Sequence, residues 1–268
     1  MIKINKDLSA IPNSLRPPTL DYFPVPSRPS TACRTTHLRR QEIIENNGYI
    51  NREIYNSRYK YSDVKNALRD LYYNKCGFCE QRIEISHVEH FRPKSDYYWL
   101  AYSWDNLILS CASCNSNKGD RFAIEGIQHR FVFDPDSTYS SIHVSSAQLD
   151  QVERPMLLNP EVDNLTSEFI FDENGGVRSN HPRVSHSISE CKLSRHDLKY
   201  QRKKLIDDFK SDIEAALLLD NKDEQILEIS AFVKQFLRRA NSSDESFIAF
   251  RKYAINNHWL SNIIKSLN

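Results

Sequence analysis

No apolar run in this chain is long enough to cross a membrane. The longest, such as Ile213 to Leu219, are broken by charge far short of the roughly 20 residues that a spanning helix needs. The first residues, Met1-Ile-Lys-Ile-Asn-Lys-Asp7, lack the continuous apolar stretch and the small-residue cleavage site of a secretory signal. The expectation is a soluble, cytoplasmic protein with no membrane association. Charge of one sign is also lacking: 36 Lys and Arg stand against 35 Asp and Glu, for a net charge of +1. The overall balance therefore announces no polyanionic partner. There is no internal repeat and no low-complexity tract.

What is present is enough to fold. Of 268 residues, 40% are hydrophobic, sufficient for one large domain or two modest ones. The charge is unevenly spread. Residues 1–75 hold 13 basic against 7 acidic side chains, residues 134–190 hold 3 against 10, and residues 191–206 hold 6 against 1. Such asymmetry points to one basic face.

Four segments are expected. Residues 1–35 carry Pro12, Pro17, Pro18, Pro24, Pro26 and Pro29, which forbid a continuous helix and favour an extended arm, packed on its own domain or docked on a partner. Residues 36–130 form the core, entered by helical patterns from Arg34 to Asn46 and from Ser62 to Tyr73. Val64, Leu68 and Leu71 make one stripe of the second, and Ser62 is placed to cap it. Within the core, Ile83 to Phe91 alternates as a strand or hairpin should, and a helix is expected to start near Cys111. Residues 131–187 read as acidic loops with short strands at Phe131–Phe133 and Phe169–Phe171 and a turn at Asn174-Gly-Gly176. Residues 188–268 read as a helical bundle, with Leu198, Leu205, Phe209, Ile213 and Leu217, then Ile226, Ile229, Val233 and Phe236, at helical spacing.

In a reducing compartment six cysteines are poor disulfide candidates, and four of them fall in two pairs, Cys76-Gly-Phe-Cys79 and Cys111-Ala-Ser-Cys114. Two such knuckles can close one tetrahedral Zn²⁺ site on four thiolates. One pair alone could be a redox dithiol; two, each bracketing a turn, favour a metal. A closed four-thiolate site has no open position, so this zinc is expected to be structural and any chemistry must come from elsewhere. Cys33 and Cys191 read as ordinary semi-buried cysteines.

Between the knuckles lie His87-Val-Glu-His-Phe-Arg-Pro-Lys94 and Trp104-Asp-Asn-Leu-Ile-Leu-Ser-Cys111, followed by Cys114-Asn-Ser-Asn-Lys118. This pattern resembles the HNH nucleases. The resemblance implies a ββα-metal core in which Glu89 and Asn115 hold a catalytic divalent ion, His90 is the general base and Asn106 is an orienting residue. Each role has a chemical reason. Hydrolysis of a phosphodiester needs a water deprotonated near neutral pH, a task that suits an imidazole of unperturbed pKa about 6.5. Charge developing on phosphorus and the leaving oxygen needs a Lewis acid, and few protein ligands leave room for water and phosphate. Neighbours on a strand point to opposite faces, so Glu89 and His90 can flank a phosphate. Asn106 is expected to hold His90 through its Nδ1–H or through backbone, and Arg92 and Lys118 to hold phosphate oxygens. His87 shares the parity of Glu89 and reads as a hydrogen-bonded strand histidine or an extra ligand. In some members a further His follows on the helix. Here that position is Gly119, which leaves the ion open among Mg²⁺, the first expectation, Mn²⁺ and Ni²⁺.

The similarity continues outside the core. Leu68-Arg-Asp-Leu-Tyr72, Lys75-Cys-Gly-Phe-Cys-Glu80 and Met156-Leu-Leu-Asn-Pro160 resemble the PtuB family, the HNH components of Septu anti-phage systems, with similar proteins beside some retrons. The resemblance implies a toxic effector kept silent by a PtuA-like ATPase and, in retron loci, by a reverse transcriptase and its RNA-linked DNA. The implied substrate is nucleic acid, either DNA or an RNA such as tRNA. The fold expected is α+β and mostly helical: a ββα-metal core with its Cys₄ zinc site, flanked by N-terminal helices and a C-terminal helical region. Lys192, Arg195, Lys199 and Arg202 fall on one stripe that could track a nucleic-acid backbone or simply be solvated. The alternative function is a zinc-stapled, non-catalytic nucleic-acid-binding or assembly module.

Overall fold

The computed structural model describes residues 1–16, 36–132 and 143–267. Cys33, the greater part of the Pro-rich arm and Phe133 lie outside the described residues. The first 16 residues lie along the body of the protein. Ile4 N donates to the Pro160 carbonyl at 2.7 Å, and Lys6 Nζ donates to the carbonyls of Trp104 and Leu107 and pairs with Glu161 at 2.7 Å. Leu15 is completely enclosed.

Helices α1 (Thr36–Glu45), α2 (Glu53–Asn56) and α3 (Ser62–Leu71) follow. In α3, Val64 and Leu68 stand four residues apart on one face and are fully buried, as the spacing requires. Ser62 does not cap this helix. It is the first helical residue, and the cap position belongs to Tyr61, which makes no side-chain capping bond. Tyr73 and Asn74, both left-handed at φ 53° and 54°, stop the helix and release the chain into the first cysteine knuckle.

The centre is a two-stranded antiparallel sheet of β1 (His87–His90) and β2 (Leu107–Ser110), with α4 (Ala112–Lys118) entered directly from β2. The register pairs His87 with Ser110, Val88 with Leu109, Glu89 with Ile108 and His90 with Leu107. β1 is shorter than the alternation from Ile83 to Phe91 implies. β2 is buried at every position, with Leu107, Ile108 and Leu109 apolar and Ser110 polar, the pattern of a strand covered on both faces.

The acidic middle corrects the loop expectation. It contains helices α5 (Ser146–Glu153) and α6 (Pro182–Glu190) around a small hairpin of β3 (Ile170–Phe171) and β4 (Val177–Arg178). Phe131 and Val132 belong to no strand. The hairpin turn passes so close to another helix that a Cβ on Gly175 would lie 2.2 Å from the Lys199 carbonyl oxygen, and Gly175 itself adopts φ +77°.

The C-terminal helices α7 (His196–Leu217), α8 (Lys222–Ala240), α9 (Ile248–Asn256) and α10 (Trp259–Leu267) form the expected bundle. Phe209 of α7 meets Phe236 of α8 edge to face at 5.6 Å. Ile226, expected on the inner stripe, is instead exposed. The bundle grips the first knuckle: Lys75 Nζ donates to the Ser243 and Glu245 carbonyls, and Glu80 Oε2 accepts from Ala249 N at 3.0 Å. One apolar core runs from Leu15 and Val64 through Ile108 to Phe209 and Phe250. Among the described residues no helix is long and apolar enough to cross a membrane.

Candidate metal centre and active-site cleft

The two knuckles meet. The ligand sulfurs of Cys76, Cys79, Cys111 and Cys114 all lie within 4.8 Å of one another, and Cys79 Sγ and Cys111 Sγ are 3.9 Å apart. A tetrahedron with Zn–S bonds of about 2.3 Å has edges of about 3.8 Å, so four buried thiols at this spacing have the composition and size of a zinc site. Local sequence places them. Gly77 N donates to the Leu109 carbonyl at 2.9 Å, which ties the first knuckle to β2. A side chain at Gly77 would meet the Tyr72 ring at 2.7 Å, so this approach requires glycine. Cys111 is the N-cap of α4, its sulfur accepting from Cys114 N at 3.4 Å.

The guanidinium of Arg195, just ahead of α7, lies over the cluster. Its Nη1 is 3.5 Å from Cys114 Sγ, and its Nη2 is 3.8 Å from both Cys79 Sγ and Cys111 Sγ. Arg202, one of the four cations expected on a single stripe, is buried and donates to the Gly175 and Leu193 carbonyls. The stripe is therefore split. Two of its members serve the interior, and only Lys192 and Lys199 are exposed. Cys191 is buried beside the cluster without being one of its four thiols.

Along β1 a cleft of about 470 Å³ opens, lined by Glu89, His90 and Asn115 together with His87, Tyr59, Lys60, Lys65, Lys94 and Asp120. The ββα geometry brings the first three together: Glu89 and His90 are consecutive on β1, and Asn115 sits on α4, which packs on that strand. His90 Nε2 is 2.9 Å from the Ala101 carbonyl oxygen. A carbonyl can only accept, so Nε2 carries the proton and Nδ1 is left as the acceptor of a neutral ring. Tyr59 supports the imidazole edge to face at 4.5 Å. Burial, seconded by the charge of Lys94, lowers the His90 pKa to about 3, so the ring is neutral at physiological pH.

Glu89 Oε1 accepts from Lys118 Nζ at 2.7 Å, and the same ammonium donates to the carbonyls of His90 at 2.8 Å and Gly119 at 3.2 Å. Burial raises the Glu89 pKa and the Lys118 charge opposes the rise. Glu89 Oε2 makes no hydrogen bond among the described residues, which leaves one carboxylate oxygen and the Asn115 amide for an ion. Both are hard oxygen donors of the kind that Mg²⁺ and Mn²⁺ take.

Two expected roles change, and Asn106 takes the backbone form of its two expected ones. Lys118, taken as a phosphate ligand, is completely enclosed with its donors committed to Glu89 and two carbonyls. Arg92 is likewise enclosed, its Nε on Glu153 at 2.8 Å and its Nη2 paired with Asp150, both residues of α5. Asn106 does not touch the His90 ring. Its Oδ1 accepts from Arg92 N at 2.8 Å, and its Nδ2 donates to the Arg92 carbonyl at 3.1 Å and the Leu100 carbonyl at 3.3 Å. It orients His90 only through backbone, by fixing the exit of β1 against the turn that presents Ala101. The cleft residues that the sequence reading passed over are Tyr59, Lys60, Lys65 and Lys94. The interleaved run Arg58-Tyr59-Lys60-Tyr61 is a sequence signal for the first two, and Lys65 and Lys94 have none.

Residues 76–121, which carry the knuckles, β1, β2 and α4, match the family model described as HNH endonuclease. The chain carries an HNH endonuclease domain. Beyond that domain it is 30% identical over 205 residues to the Septu protein PtuB of Bacillus mycoides (strain KBAB4), an alignment spanning 69% of this chain and 62% of the relative. The Septu protein PtuB of Bacillus thuringiensis is 35% identical over 98 residues, 35% of each chain. A 154-residue stretch covering 52% of this chain is 25% identical to part of the Septu protein PtuA of Bacillus mycoides, spanning 20% of that protein. The similarity to PtuB thus reaches well outside the HNH domain but covers less than two thirds of either relative.

Proposed function

We propose that this chain is a metal-dependent endonuclease that hydrolyses nucleic-acid phosphodiester bonds, as the effector of a Septu-type anti-phage system governed by a PtuA-like ATPase. One observation carries the catalytic reading. A neutral histidine, with Nε2 committed to the Ala101 carbonyl, lies beside a half-engaged carboxylate and an amide in one open cleft.

Glu89 Oε2 and the Asn115 amide oxygen would hold the divalent ion, first of all Mg²⁺, which when bound supplies Lewis-acid stabilisation to the phosphate and leaving oxygen. His90 takes a proton from the attacking water on Nδ1, the ring being braced by Tyr59 and the Ala101 carbonyl. Asn106 keeps the strand exit in register so that this geometry does not drift. Lys118 holds Glu89 in one rotamer. The cysteine cluster binds Zn²⁺ structurally and fixes α4, hence Asn115, against β1.

The test is cleavage of a DNA and total-RNA panel with Mg²⁺, Mn²⁺ or Ni²⁺, with and without the ATPase partner, by the parent and by His90→Ala. The variant is expected to lose cleavage while keeping its zinc content and fold. Persisting cleavage removes His90 as the base, and no cleavage by the parent under any condition overturns the nuclease reading.

A further inference from the structure

With Arg92 and Lys118 turned inward, the phosphate contacts of the cleft have to come from elsewhere. Three lysines line it from three separate elements: Lys60 on the short turn Arg58–Lys60, Lys65 on α3, and Lys94 on the chain leaving β1. The side-chain ammonium of none of the three makes an ion pair or hydrogen bond among the described residues. What lies near them is aromatic. Lys94 Nζ is 5.0 Å from the centre of the Tyr49 ring and 6.0 Å from that of Tyr59, and Lys60 Nζ is 5.5 Å from Tyr59.

The contrast with the enclosed cations is informative. Arg92 and Lys118, removed from water, each meet carboxylates, as buried charge must. Lys94 is half-buried, with ring faces beside it and the charges of Asp120 and Glu89 acting on it across the cleft but neither in an ion pair with it, an arrangement that an anion in the cleft would complete. The carboxylates lining the cleft do not balance the lysines, since Glu89 is engaged by Lys118 and Asp120 alone remains. Nor are these the solvated charges of one helix face, because the fold draws them from turn, helix and loop to a single wall.

We propose that Lys60, Lys65 and Lys94 form the phosphate-binding wall of the cleft and hold the sugar–phosphate backbone of a nucleic-acid strand beside His90. The proposal rests on the reading of this cleft as the phosphodiester site. Contacts of this kind read charge and spacing rather than base identity, so the wall sets affinity and register and leaves sequence unread.

The experiment separates binding from cleavage. In a His90→Ala background, fluorescence anisotropy measures binding of a short labelled single-stranded DNA, its duplex, and the matching RNA over a salt series. Each of Lys60→Gln, Lys65→Gln and Lys94→Gln is expected to weaken binding to the probe that the parent binds best. Each should also flatten the slope of log affinity against log salt by about 0.9 for duplex or about 0.7 for single strand. Lys204→Gln, on the exposed far side of α7, should leave both unchanged, and Lys94→Arg should restore binding. Unchanged zinc content and thermal midpoint confirm that the variants fold. A triple Gln variant that binds with the parent's affinity and slope overturns the wall, even where the His90-intact protein cleaves. Flattened slopes in a protein that cleaves nothing keep the wall and remove the nuclease reading.

Discussion

Lys118 Nζ stands 2.7 Å from Glu89 Oε1, both side chains enclosed, so that the carboxylate assigned to the ion is clamped from the protein side. Removing one partner of such a pair leaves a buried charge uncompensated, at a cost of about 3–5 kcal/mol. Lys118→Ala is expected to lower stability by about that amount in urea unfolding. Glu89→Gln combined with Lys118→Met should lose less than the sum of the two single changes. Additive losses would mean that the two residues do not act as a pair.

Asn106 makes three hydrogen bonds to backbone in a fully buried position. Each buried group left unsatisfied costs about 1–3 kcal/mol. Asn106→Ala should therefore reduce stability by about 3 kcal/mol or more in thermal or urea unfolding. Asn106→Asp keeps the acceptor toward Arg92 N but loses both donors, and is not expected to rescue. His90→Ala, by contrast, should remove activity with a smaller stability loss, so the pair of variants separates an architectural residue from a chemical one.

Arg195 places its guanidinium within 3.8 Å of three of the four cluster sulfurs. A tetrathiolate zinc site carries net negative charge, and outer partners of this kind are worth about 10- to 100-fold in metal affinity. Arg195→Ala is expected to weaken zinc retention by that range when a chromogenic chelator competes for the metal, with Arg195→Lys in between. Equal retention by all three proteins would show that the arginine only packs there.

His143 is fully buried, and its Nδ1 accepts from Trp104 N at 2.9 Å. Burial, with the charge of Arg40 adding to it, lowers its pKa to about 4. In the unfolded chain the ring takes a proton near pH 6.5, so between the two values the unfolded state binds more protons and stability rises with pH. The contribution is complete above pH 6.5 and fades as pH falls toward 4, by about 3 kcal/mol in all. Asp105, raised by burial to about 6, acts in the opposite sense over part of this window, so the informative quantity is a difference. Urea unfolding at a series of pH values should show that His143→Gln, which retains an acceptor, is less sensitive to acid than the parent. Parallel curves would remove His143 from the account.

The parts of the site legible in the sequence were those set by short spacing. Each Cys-x-x-Cys turn closes on itself, and Glu89, His90 and Asn115 need only a hairpin and a helix start to meet. The failures came from distance along the chain. Arg92 and Lys118 have the composition of exposed phosphate ligands, and nothing local shows that the partners of Arg92 wait on α5, 58 and 61 residues later. α5 was hidden by its polar sequence. α6 begins with Pro182, a helix-start residue at its first position, in a segment read as loop. Lys60, Lys65 and Lys94 are unremarkable singly and acquire a role only when the fold sets them around one hollow.

Cys111 serves at once as one of the four clustered thiols and as the N-cap of α4, and Asn115 rides on that helix four residues on. Oxidative damage at the knuckle would therefore be felt in the cleft. Joining Cys79 and Cys111 as a disulfide draws sulfurs now 3.9 Å apart to bonding distance and takes the cap from the first turn of α4. An oxidant acting at the knuckle would in this way disturb the helix that carries Asn115 from behind, without itself entering the cleft.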